Sequence, residues 1–539
     1  MLTDEQIAEA RRQNALTVGE ELADILPISE KPWWRQSHLL KLNARILACM
    51  CFSSTTGYDG SLMNGLQSLD TWQTFMDTPS GGWLGFINSI NSIGALCGLC
   101  IVGMVAERFG RKVPLLICIA FISLGAGLGA GAKNIAMFII GRYFIGFGSS
   151  FVLGAPLMIA EISYPTHRAR ATSLYNCFYY LGSLISSWVI FGVRHLDSWS
   201  WRTPTLLQCG IPVLLLLPVL SLPESPRWLI SKGKHAQARE VLVKYHAGGN
   251  QDSVLVDFEM EEISRTIELE RFAAKESSWA NLWATPGNRH RLFITISLGF
   301  FSQWNGVGVV SYYLSKVLTS VGITSTTKQT LINGFLQLWN LLCALFSAYV
   351  VDYAGRRMLF LVSGIGMFCS YVMITGLSGA FAETGNNSTG IAMIPFLFIY
   401  YGFYDIAFTP LLFAYPAEIW NYMNRSRGLV VVQVSSFLAL IFNLFVNSIA
   451  LDNIAWKYYF VFIGVLIVVI ITTYFTYPET RGHTLEEMAQ VFDKDEVEDE
   501  EANRHVKDIL DSMHDKIQEE RAETAEQAEM TEFSSSSRA

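Results

Sequence analysis

Charge is what this chain has least of. Only 16% of its 539 residues are charged, against about 25% in ordinary soluble domains. The net charge is −8 and much of the acid lies beyond Phe492, so nucleic acid is not expected as a partner. A short apolar core near the start is also missing. The opening, MLTDEQIAEARRQ, is polar and mixed in charge, so no cleavable signal peptide is expected and the N-terminus reads as cytosolic. Cysteine pairing is absent as a pattern. All nine cysteines fall in apolar segments, from Cys49 to Cys369. Cys97 and Cys100 form a C-x-x-C without a second ligand pair, which reads as small residues in lipid rather than a metal or redox site. No phosphate loop, metal cluster or nucleophile triad is found, which disfavours an enzyme and implies no cofactor.

Apolar length is what the chain has instead. It is 51% hydrophobic with a mean hydropathy of +0.31, and a spanning helix needs about 20 apolar residues. Twelve segments qualify, near 44–65, 83–105, 113–131, 135–160, 171–192, 204–222, 292–318, 329–351, 358–380, 391–417, 429–450 and 456–477. The expected fold is an all-α membrane protein, with twelve transmembrane helices in two pseudo-symmetric six-helix bundles. The expected domains are an N-terminal cytosolic segment (1–43), a first bundle (44–222), a cytosolic helical linker (223–289), a second bundle (290–477) and a partly disordered tail (478–539).

Basic residues in short loops set orientation. The connections after the second, fourth, eighth and tenth segments hold Arg108, Arg111, Arg168, Arg356, Arg357 and Arg425, and the opposite loops hold fewer. Both termini and the linker are therefore expected in the cytosol. The NNST run, with glycosylation sequons at Asn386 and Asn387, then lies outside. Polar signatures also repeat in order. ERFGRK at 107–112 returns as DYAGRR at 352–357, Glu161 with Arg168 returns as Glu418 with Arg425, and PESPR at 223 returns as PETRG at 478. Two such halves are the arrangement of transporters with a midplane site.

VGMVAERFGRK, VVDYAGRR, PESPRWL and PETRGHTLEEM make the chain resemble the sugar porters of the major facilitator superfamily, over roughly residues 44–490. AFTPLLFAYPAEIW and FNLFVNSIALDNIAWKYYF are most similar to fungal lactose permease-type proteins. The resemblance implies a plasma-membrane protein, monomeric as the transport unit and set in membrane lipid, with sugar and protons as its small partners. Glu107, Arg108, Arg111, Glu161 and Arg168, with Asp352, Arg356, Arg357, Glu418 and Arg425 in the second half, are candidates for a cytosolic latch of forked ion pairs. The alternative is that they are solvated positive-inside residues. Ala169 stands where the family has glycine.

A sugar needs neutral hydrogen-bonding groups and aromatic walls. Mapped through the family motif, SQWNGVGVVSYYL supplies Gln303, Gly306, Tyr312 and Tyr313, with Asn305 beside them. Asn176, Asn340, Asp405 and Phe413 fall on the family's binding positions in the fifth, eighth and tenth helices. Ser302 and Gly308 replace a glutamine and an asparagine. These changes remove volume, which implies a cavity wide enough for a disaccharide such as lactose or cellobiose, with a hexose as the other option. Asp59, in GYDGSLMNG, matches the aspartate of proton-coupled relatives, and Arg142 in GRYFIGFG is its expected partner. A guanidinium favours the ionised acid and burial the neutral one. The proton-symport reading stands beside a facilitative uniporter, a sugar sensor, and a static structural pair.

Overall fold

The computed structural model describes residues 20–27, 32–276, 278–421 and 424–481, together with residues 9, 11, 12, 14, 488, 491 and 492. The expected disordered tail falls almost entirely outside the described residues.

Every regular element among the described residues is helical. The first bundle comprises α1 (Ser37–Leu66), α2 (Gly81–Phe109), α3 (Lys112–Ala130), α4 (Ile135–Ile162), α5 (Pro165–Val193) and α6 (Trp199–Ser221). The second comprises α7 (Pro286–Ser320), α8 (Thr326–Ala354), α9 (Arg356–Thr384), α10 (Ile394–Ile419), α11 (Arg425–Ile454) and α12 (Tyr459–Thr476). By length and hydropathy alone, ten stretches can cross a membrane. One of these, Arg425–Thr476, holds both α11 and α12, which part at Ala455 where φ reaches +46°. The remaining span is α1, which that measure passes over. Its Ser53, Ser54, Thr55, Asp59, Ser61 and Asn64 lower its hydropathy, yet all are buried against protein. The twelve-helix arrangement is thus complete.

Within the first bundle α1 packs on α5, and α4 packs on both α2 and α3. The close approach of α1 to α5 rests on glycine. A Cβ at Gly57 would lie 1.8 Å from the Tyr179 carbonyl oxygen, and one at Gly182 would lie 1.9 Å from that of Ser54. Small residues permit such backbone contact between membrane helices. The second bundle has its own apolar core, in which Tyr371, Tyr400, Phe408 and Leu466 are buried. The halves meet where α5 packs on α8 and α2 packs on α11.

Between the halves run four linker helices among the described residues, Pro226–Ser231, His235–Tyr245, Val254–Glu276 and the short Asn281–Ala284. The linker docks on the end of the first bundle. Trp228 Nε1 donates to the Glu107 carbonyl at 2.9 Å. His246, buried with Glu259, lies 2.7 Å from a Glu259 oxygen through Nδ1 and 3.2 Å from the Ile162 carbonyl through Nε2. The His246 ring thus bridges the linker and α4.

Candidate functional site

Asp59 lies in α1 and Arg142 in α4, and both are almost wholly buried, at 6% and 3% exposure. The guanidinium forks onto the acid: Nη1 donates to Oδ1, and Nη2 approaches Oδ2 at 3.5 Å. Two amides that sequence reading missed complete the shell. Gln208 of α6 donates to Oδ1 at 2.7 Å, and Asn91 of α2 donates to Oδ2 at 2.6 Å. A lone charge at this depth costs roughly 2.5–3.5 kcal/mol on insertion scales. Here a countercharge and two further donors offset that cost.

A cavity of about 270 Å³ opens at the seam between the halves. Asn176 and Thr172 of α5, Ser347 of α8, and Asp405, Thr409 and Phe413 of α10 line it, with Arg356 at its linker end. Phe413 is 42% exposed and Asp405 fully buried. Asp405 Oδ1 accepts from the Tyr180 hydroxyl at 2.5 Å and from Thr409 at 2.8 Å. Since Tyr180 belongs to the first half, this bond crosses the seam.

The other expected sugar-contacting residues lie outside that lining. Gln303 is half-buried, and its carbonyl accepts from Asn443 at 2.5 Å. Asn305 and Gly306 form the break in α7. Gly306 takes φ +104°, Asn305 Oδ1 caps the Val307 amide at 3.0 Å, and Tyr371 donates to the Gly306 carbonyl at 2.8 Å. Tyr313 donates to the Leu444 carbonyl at 2.6 Å, and the Tyr312 carbonyl accepts from Gln67 across the seam at 2.9 Å. Asn340 is buried in α8.

On the face opposite the linker, further polar ties join the halves. Asn333 donates to Ser187 at 3.1 Å, Arg194 to Thr327 at 3.1 Å, and the Gly81 amide to Asp452 at 2.5 Å. Asp452 also holds Lys316 at 2.6 Å. Asn386 and Asn387 are exposed on this same face, where Asn386 Oδ1 accepts from the Ser388 amide.

At the linker face, the expected latch residues pair within each half. Arg111 Nη2 reaches Glu161 at 3.0 Å, and Arg356 Nη2 reaches Glu418 at 3.0 Å. Arg357 donates through its amide to Glu479 and through its guanidinium to the Tyr474 carbonyl. Glu107, Arg108 and Arg168 are exposed, with Arg108 over the Phe109 ring. Arg425 begins α11 half-buried, and the Asp352 side chain lies outside the described residues.

A forked acid and guanidinium inside one bundle, and a cavity on the seam with the other, define a secondary transporter of two pseudo-symmetric halves. The chain belongs to the Sugar (and other) transporter family, whose profile matches residues 45–492. It is 26% identical over 463 residues to a high-affinity glucose transporter of Kluyveromyces lactis, covering 81% of this chain and 82% of that one. It is 28% identical over 401 residues to H(+)/hexose cotransporter 2 of Parachlorella kessleri, covering 72% of each. The fold is similar to that of the xylose transporter XylE from E. coli in a partially occluded inward-open conformation, with a TM-score of 0.70 at 22% identity, covering 83% of this chain and all of that one.

Proposed function

We propose that this protein is a plasma-membrane sugar:proton symporter that works by alternating access, with the linker face in the cytosol. The observation that carries this reading is the buried Asp59–Arg142 pair, which ties α1 to α4 within the first bundle. The conformation corresponds to an inward-facing state. Polar ties between the halves gather on the face opposite the linker, while the Asn176–Asp405 cavity extends to Arg356 at the linker end.

The cycle follows from charge. In the outward-facing state a proton binds Asp59, and the carboxyl ceases to be a countercharge for Arg142. Sugar binds at the seam from outside, the α1–α4 tie loosens, the halves rock, and the bound sugar is released on the cytosolic side. The proton then leaves for the cytosol, drawn by about 2.3 kcal/mol per 100 mV of membrane potential. Arg142 recovers its partner, and the empty protein resets. Sugar hydroxyls bond to Asn176, Thr409 and Asp405, and Phe413 offers an apolar face. The substrate is read as a disaccharide or a hexose, and the small residues Ser302 and Gly308 lie outside the lining of the seam cavity and do not choose between them. The relatives named for glucose and for proton–hexose cotransport support the substrate class and the coupling.

The test is uptake by proteoliposomes under an imposed pH gradient, with labelled glucose, xylose, lactose and cellobiose. Accumulation that collapses with the gradient supports symport. Exchange without accumulation makes the protein a uniporter, and binding without flux makes it a sensor.

A further inference from the structure

The hydrogen bonds to Asp59 come from three helices. Arg142 supplies the charge from α4, Asn91 donates from α2 and Gln208 from α6. Tyr179 of α5 and Tyr312 of α7 also lie close enough to feel the carboxylate. The two amides share a further feature. Their carbonyl oxygens, Asn91 Oδ1 and Gln208 Oε1, are buried without a hydrogen-bond partner. Leaving one such oxygen unmet costs about 1–3 kcal/mol, and two around one carboxylate call for an explanation.

The chemistry of a carboxyl group supplies it. An ionised carboxylate only accepts, so a neighbouring amide must turn its NH₂ inward and leave its oxygen behind. A protonated carboxyl has an O–H to place. Arg142 offers no acceptor, because a guanidinium only donates. The terminal torsion of Asn and Gln is broad and roughly two-fold, so a half-turn exchanges NH₂ for C=O at the same place.

We propose that Asn91 and Gln208 are amide switches for the proton step: they donate to ionised Asp59, and after a half-turn one of them accepts from the protonated acid. This inference rests on the proton-symport reading. A hydronium ion gives up one O–H bond and leaves as water while an O–H bond forms on Asp59, and Arg142 keeps its charge. The switch removes a barrier, because neither charge state leaves the carboxyl without a partner. Asn91 and Gln208 are positioning residues, and they act through Asp59.

The test is acid-induced infrared difference spectroscopy on the full-length protein in lipid, from roughly pH 9 to pH 4 to bracket a carboxyl titration. A carboxylic C=O band absent from Asp59→Asn should appear on acidification. A side-chain amide C=O band should shift with the same midpoint, respond to ¹³C-amide-labelled Asn and Gln, and vanish in Asn91→Leu/Gln208→Leu. In flux assays Asn91→Leu should slow proton-driven uptake about tenfold. Asn91→Ser, whose hydroxyl can both donate and accept, should restore most of it. An Asp59 band that titrates while every amide stays silent overturns the switch alone. No Asp59 band at any pH overturns the proton reading and the switch with it. The wild-type spectra decide the matter even if the double variant does not fold.

Discussion

At their linker-facing ends the two halves are built alike. In the first, Gly110 takes φ +96° and the Arg111 amide donates to Glu224 at 2.8 Å, while the Arg111 guanidinium forks onto Glu161. In the second, Gly355 takes φ +82°, the Arg356 amide donates to Glu479 at 2.7 Å, and the Arg356 guanidinium forks onto Glu418. Their middles differ. The first half buries Asp59 against a guanidinium, whereas the second buries Asp405 against two hydroxyls, one of them lent by the first half. The duplicated ends serve a need common to both halves, a rigid corner between paired helices. The unlike middles divide the labour. Of the two buried middles, Asp59 faces a cation and Asp405 faces hydroxyls, so under the proposed symport a proton would cancel a charge pair at Asp59.

The largest effect should come from breaking that division. Asp59→Asn removes the group proposed to take the proton, and accumulation ratios in proteoliposomes should fall to about 1 while exchange persists. Asp405→Asn keeps a polar side chain on the seam. It should retain gradient-driven accumulation and change apparent sugar affinity instead. If Asp405→Asn uncouples and Asp59→Asn does not, the assignment of the two acids is reversed.

Next in size are the ion pairs of the duplicated ends. The Arg111–Glu161 side chains are 16% and 9% exposed, the Arg356–Glu418 side chains 18% and 31%. Removing one partner of a well-buried pair costs about 3–5 kcal/mol, and exposure reduces this. Thermal unfolding in detergent should therefore show a larger drop for Glu161→Gln than for Glu418→Gln. Gly110→Ala should follow at about 1–3 kcal/mol, the cost of a Cβ in an extended positive-φ conformation that is essentially glycine's alone, with φ +96° and ψ 179°. That Cβ would stand 2.4 Å from Glu224 Oε2, so the carboxylate must also move. At Gly355 the corresponding distance is 2.9 Å, and the loss should be smaller.

These features were not equally legible in the sequence. The spans and the repeat could be read because apolar length and glycine–arginine corners leave strong local marks. Asp59 and Arg142 could be paired because a charge in an apolar run demands a countercharge. Asn91 and Gln208 could not be found that way, since a neutral amide in a membrane helix makes no such demand and more often joins helices. For Gln303, Tyr312, Tyr313 and Asn340, motif register gave the helix and the depth. Whether such a side chain faces the cavity depends on how the halves are tilted. Here Asn176, Asp405 and Phe413 share the seam cavity, while the α7 residues bond within protein. The break at Gly306, where φ is +104°, was not legible in the sequence, where 292–318 reads as one span.

The smallest predicted effect concerns Glu479 and carries a sign. Burial pushes its carboxyl upward, but backbone amides of Arg481, Arg356, Arg357 and Thr480 donate to it and hold it below its ordinary 4.5. An acid depressed in the folded state adds stability above its unfolded value and loses it as pH falls through the folded one. Wild type and Glu479→Gln should therefore differ by no more than ~1 kcal/mol near neutrality, since the group is partly exposed. The two should converge below pH 4.5, read as unfolding temperature against pH. If the gap held constant into acid, the amide cradle would be contributing shape and not charge. The likeness of the two corners would then be steric alone.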